Sequence, residues 1–336
     1  MLSTLLKASV SSPPLPISAV AFAHFSSPFI TAYPWSSSGF GTKYANPSTL
    51  PTSTGNGVAF SPDKSAIAVA HQSSPNITAY PWSGSGFGTK YANPSTLPAG
   101  GGKGVAFSPN GSAIAVGHES PPNITLYPWS SSGFGTKYNN PGSPPAGGVN
   151  GVAFSPSQSY IAVAHNSSPF ISVYSWSGSG FGSRSMNPST LPTGTGRGVA
   201  FSPDGSAVAV AHDNSPFVTA YSWTGSSLGT KYANPATLPA GNGRGVAFSP
   251  DGSALAVIGP GFPGGLVYRW SGSGFGTVYD NATEFSSGNG VAFSPNGSFI
   301  AFATNNGGKV YPWSSSGFGS SYSTPDSFQS NGVAFI

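Results

Sequence analysis

Apolar runs of three to six residues recur along this chain, each bounded by Ser, Pro, Gly or Asn. The run Gly-Val-Ala-Phe starts at Gly57, Gly104, Gly151, Gly198, Gly245, Gly290 and Gly332, at spacings of 47, 47, 47, 47, 45 and 42 residues. One unit, from Gly57, predicts four short strands. Val58-Ala59-Phe60 is stopped by Ser61-Pro62-Asp63. Ala66–His71 follows, then Ile77–Trp82, rich in aromatic and β-branched residues. A Ser-Gly turn leads to the more polar Phe87–Ala92. Turn residues between runs of this length are hairpin chemistry. The first two strands are apolar almost continuously, which suits a sheet covered on both faces.

A repeat of about 20–50 residues marks a solenoid, an array or a propeller. Four strands per repeat with both faces covered is a propeller blade. The fold class expected is all-β: a seven-bladed β-propeller of four-stranded antiparallel blades. Second-plus-third strand pairs begin at Ser18, Ser65, Ser112, Ser159, Ser206, Ser253 and Ser298, which sets the count at seven. The first pair lacks a Gly-Val-Ala-Phe before it and the last copy lacks a pair after it. Residues 332–336 are therefore expected to complete blade one and close the ring, with Ala8–Pro13 as the rival for that slot. The propeller spans 18–336, preceded by an arm at 1–17.

Phe-Ser-Pro-Asp-Gly at 201–205 and 248–252 resembles the turn between the first two strands of WD-repeat and YVTN-type propellers. The third strands ending in Trp82, Trp129, Trp176, Trp223, Trp270 and Trp313 are similar to theirs. No Gly-His pair precedes the first strand and no Asp follows the tryptophan, so the resemblance implies fold and little about activity.

Composition narrows the chemistry. Lys+Arg number 12 and Asp+Glu 8, so 6 % of residues are charged, with a net charge of +4. The cations form no basic run, and nucleic acid is not an expected partner. Cysteine is absent, which removes disulfides and thiolate chemistry. No apolar run is long enough to span a membrane. Met1–Val10 is too short in its apolar stretch for a secretory leader, with Lys7 interrupting it.

Two rings of candidates emerge. His24, His71, His118, His165 and His212 all end the second strand of a blade, either as rim ligands or as structural histidines bonding the next turn. Asn56, Lys103, Asn150, Arg197, Arg244, Asn289 and Asn331 each precede Gly-Val, at the entry to the innermost strand and near the channel mouth. Asp63, Asp204 and Asp251 read as turn residues. Glu119, Asp213, Asp280, Glu284 and Asp326 read as scattered, with no pair poised for acid–base work. Blades six and seven depart from the others. Phe262, on a Gly/Pro loop, and Arg269 are candidates for docking a protein.

These features predict a non-enzymatic structural or attachment propeller without a cofactor. The setting expected is extracellular or on a virus particle, with a protein partner in an assembly. A lectin-like glycan binder is the alternative, and a propeller hydrolase the third reading.

Overall fold

The computed structural model describes residues 18–279 and 285–336. The expected arm at 1–17, the rival segment Ala8–Pro13, Asp280 and Glu284 lie outside the described residues. Seven antiparallel sheets form the molecule, and no helix occurs among the described residues. Six sheets take their strands consecutively, from Gly55, Gly102, Val149, Gly196, Gly245 and Gly288 onward. The seventh joins the ends of the chain. Ser330–Phe335 pairs with Ala19–His24, opposing Val20 to Phe335, Ala21 to Ala334 and Phe22 to Val333. Ring closure thus runs through the C-terminal strand, as its intact Gly-Val-Ala-Phe copy predicts.

Alternation within the second strand holds neighbouring blades together. In Ala66–His71, the alanines at 66, 68 and 70 take one face and Ile67, Val69 and His71 the other. The alanine face of blade two packs on Ile114, Val116, Tyr127 and Trp129 of blade three. The large face of blade two receives Ala19, Ala21 and Ala23 of blade one. Small-on-large contact repeats around the ring, through blade seven's Ala301 and Ala303 against Val20, Phe22, Tyr33 and Trp35. The third-strand tyrosines add a bond between blades. Tyr80, Tyr127, Tyr174, Tyr221 and Tyr268 are fully buried, and each donates its hydroxyl to a backbone carbonyl 31 residues earlier, at 2.7–2.9 Å. At the closure, Tyr33 donates instead to Asp326 Oδ2 at 2.6 Å, which Lys43 also meets at 3.1 Å.

The fourth strand differs from the six-residue Phe87–Ala92 expected. It is two residues long in blades one, two, three and seven, as at Gly86–Phe87, but four or five in blades four to six, as at Phe181–Arg184. The short cases have Pro34, Pro81, Pro128 and Pro312 in the third strand; the long ones have Ser175, Ser222 and Arg269 there. Proline has no N–H, so the ladder toward the outer strand is interrupted at that residue.

The departures in blades six and seven have a packing reason. Gly265 and Gly308 stand where blade two has Ile77, at the start of the third strand. Facing them, Phe302 and Phe22 replace the usual valine, such as Val116. A Cβ on Gly308 would fall 2.3 Å from the Phe22 ring, and one on Gly265 3.0 Å from Phe302. An aliphatic–valine pair has become a glycine–phenylalanine pair, the ring filling the space that the missing side chain leaves. Gly308→Ala should cost about 1–3 kcal/mol by overpacking, and Phe22→Val a similar amount through the cavity it leaves. Together they should cost at least about 1 kcal/mol less than the sum in urea melts; strict additivity would show that the two positions are not coupled.

Candidate functional site

The five histidines do not meet. Each is at most 2 % exposed, within its own blade. Nε2 lies 2.6–3.0 Å from a third-strand hydroxyl: Thr31, Thr78, Thr125, Ser172 or Thr219. The ring bond runs to the third strand, seven residues on, and the backbone N–H of each histidine donates to the turn between, as His71 does to the Asn76 carbonyl at 3.0 Å. Burial lowers every one of these pKa values to about 4. Among the described residues no three His, Asp or Glu side chains converge as metal ligands would.

The ring preceding Gly-Val does converge. The channel mouth is a cavity of about 340 Å³ lined by Asn56, Lys103, Asn150, Arg197, Arg244, Asn289 and Asn331, joined by Asp213 and Asn242. That volume is within the usual range for small-molecule sites. The four asparagines lace adjacent inner strands: Nδ2 of Asn56, Asn150, Asn289 and Asn331 donates to the carbonyls of Gly102, Gly196, Ser330 and Gly55 at 2.7–3.0 Å. This consumes an amide proton on each; Oδ1 of Asn56 and Asn150 is left for a ligand hydroxyl, whereas Oδ1 of Asn289 accepts from Arg244 and that of Asn331 from Asn289.

A second ring stands behind the first, sixteen residues on. Gln72, Glu119, Asn166, Asp213 and Asn305 each begin the turn after the second strand. Lys103 Nζ meets Glu119 at 2.8 Å and Gln72 Oε1 at 2.9 Å. Asn150 donates to Asn166 at 2.8 Å. Arg197 grips Asp213 with two bonds, Nε to Oδ1 at 2.8 Å and Nη2 to Oδ2 at 2.7 Å. Burial would raise the Glu119 pKa, but hydrogen bonds from Lys103 and Gln72 and the ammonium charge together hold it below the ordinary carboxylate value.

Glu119 and Asp213 are thus not scattered. They occupy one position of the repeat, 94 residues apart in sequence, on the same rim. The constant separation of sixteen was the available signal, visible only when the repeats are stacked as blades. Asp63, Asp204 and Asp251 do hold turns, each accepting from the serine two residues before it. Phe262 is 64 % exposed. Arg269 lies toward the opposite end of its third strand, paired across from Ala254, with its guanidinium 4.2 Å from the Tyr279 ring centroid. The two are not brought together.

No known protein family and no curated protein matches the sequence. Solved structures do. A provisionally named 6-phosphogluconolactonase of Bacteroides uniformis superposes with a TM-score of 0.73 at 16% identity, covering 95% of this chain and 99% of its own. A periplasmic gluconolactonase of Pseudomonas aeruginosa gives 0.73 at 17% identity, over 95% and 99%. A Lactobacillus plantarum protein gives 0.74 at 16%, over 96% and 100%.

The likeness is one of fold. It corrects the resemblance drawn from the Ser-Pro-Asp-Gly turns: these neighbours are lactonase-type propellers, not WD-repeat proteins. It also overturns the expectation of a non-enzymatic structural or attachment module on a virus particle or cell surface, since the neighbours carry enzyme names. That expectation rested on the carboxylates being dispersed, and folding brings Asp213 to the channel mouth and Glu119 behind it, on Lys103.

The histidines make stability pH-dependent. With folded values near 4 against about 6.5 unfolded, the unfolded chain binds more protons between those limits. Stability is complete above pH 6.5 and is lost as pH falls toward 4. Near pH 5 the slope should approach about 1 kcal/mol per pH unit for each histidine. Melts across this range should show it; a midpoint flat from pH 7 to 4.5 would contradict the buried neutral state.

Proposed function

We infer that this chain is a propeller hydrolase acting on a small polyhydroxylated lactone at the channel mouth. The carrying observation is the cavity itself: amide oxygens, three cations and Asp213 surround one space of ligand size on a lactonase-type frame. The amide acceptors suit sugar-like hydroxyls. Lactone opening adds water to the carbonyl carbon and breaks the ring C–O bond. The proton leaving water passes to Asp213 and returns to the departing alkoxide oxygen. Arg197 holds the carboxylate in one orientation through two bonds. Guanidinium N–H of Arg197 not engaged by Asp213 can donate to the oxyanion that develops on the carbonyl oxygen.

The test is acid release from glucono-δ-lactone and from its 6-phosphate, followed against the uncatalysed rate. Wild-type protein should accelerate at least one of them. Asp213→Asn should lower kcat about 10²–10⁴-fold while the melting temperature stays within a few degrees. No acceleration of either lactone, or a fully active Asp213→Asn variant, would overturn this reading.

A further inference from the structure

The three cations of the mouth are not equivalent. Lys103 and Arg197 each have a carboxylate sixteen residues on, Glu119 and Asp213, and each is paired with it. The residue sixteen beyond Arg244 is Pro260. Proline there offers neither charge nor a side-chain acceptor. The Arg244 guanidinium instead donates from Nη1 to the neutral Asn289 Oδ1 at 2.6 Å. The side chain is exposed and lines the cavity. Two ion pairs are close to neutral seen from the cavity, so its field is that of one uncompensated positive charge on blade six.

We propose that Arg244 is an anion anchor: it takes a phosphate or carboxylate substituent of the ligand and selects anionic over neutral sugar-like molecules. This rests on the channel mouth being the ligand site read above. A guanidinium presents several N–H groups in a planar fork, and one is engaged by Asn289. The rest can pair bidentately with a phosphate or carboxylate. The anchor lies one blade from Arg197 and Asp213, so an anionic tail would rest on blade six while the reacting end faces blade five. Pro260 is what keeps the anchor open, because an acidic residue there would repeat the pairing seen in blades three and five.

Calorimetric titration with glucose, glucuronate and glucose 6-phosphate tests this without turnover. Wild-type protein should bind at least one of the two anions about tenfold or more tighter than glucose; which one identifies the anion as carboxylate or phosphate. Arg244→Gln should abolish the preference, so that neither anion binds tighter than glucose. Pro260→Asp should abolish it as well, with the arginine still present but paired. Equal binding of all three ligands by the wild type, or a preference that survives Arg244→Gln, overturns the proposal. Should Pro260→Asp fail to fold, the surface substitution Arg244→Gln decides alone. An Arg244-dependent preference in a protein that opens neither lactone supports the anchor and overturns the hydrolase reading.

Discussion

Everything in this molecule depends on one contact, the small face of a blade against the large face of the next. Alanines at alternate positions of the second strand leave room on one side. Isoleucine, valine, tyrosine and tryptophan fill that room from the other. Close packing tolerates little change in volume at such a contact. Where Phe22 and Phe302 enlarge one side, Gly308 and Gly265 shrink the other. The contact must also hold between the last blade and the first, and the pairing of Ser330–Phe335 with Ala19–His24 brings those blades into register. Closure leaves no inner strand unpaired at the join, where an open edge would invite association with another chain.

The ring geometry then builds the site without any local motif. A residue entering each inner strand is carried to the same mouth seven times. A residue opening the next turn is carried behind it. Duplication supplies the positions, and divergence at single positions supplies the chemistry: amides that lace the strands, two ion pairs, and one cation whose partner position is proline. The buried histidines belong to the frame and not to this mouth. Each is fixed by a hydroxyl of the adjacent strand and kept neutral by burial.

Much of this was legible in the chain. The period, the turn residues and the intact C-terminal Gly-Val-Ala-Phe pointed to seven blades and to the closure. The position preceding Gly-Val was recognisable as the channel entry, since the innermost strand is the one each repeat begins with. The length of the outer strand was misjudged, although its cause, a proline in the third strand, was present in the text. The roles of Glu119 and Asp213 were missed because nothing near either residue marks it.

By itself the sequence determined the blade number, the strand order and the apolar strands that build the core, because these follow from a local period and from alternation along single strands. Only the tertiary structure decided which polar residues share a space. Lys103 with Glu119, Arg197 with Asp213, and Arg244 without a carboxylate are relations across a ring, between residues 16 to 141 positions apart. Local propensity acts over a few residues, whereas the distance between such groups is set by how blades stack and where the ring closes.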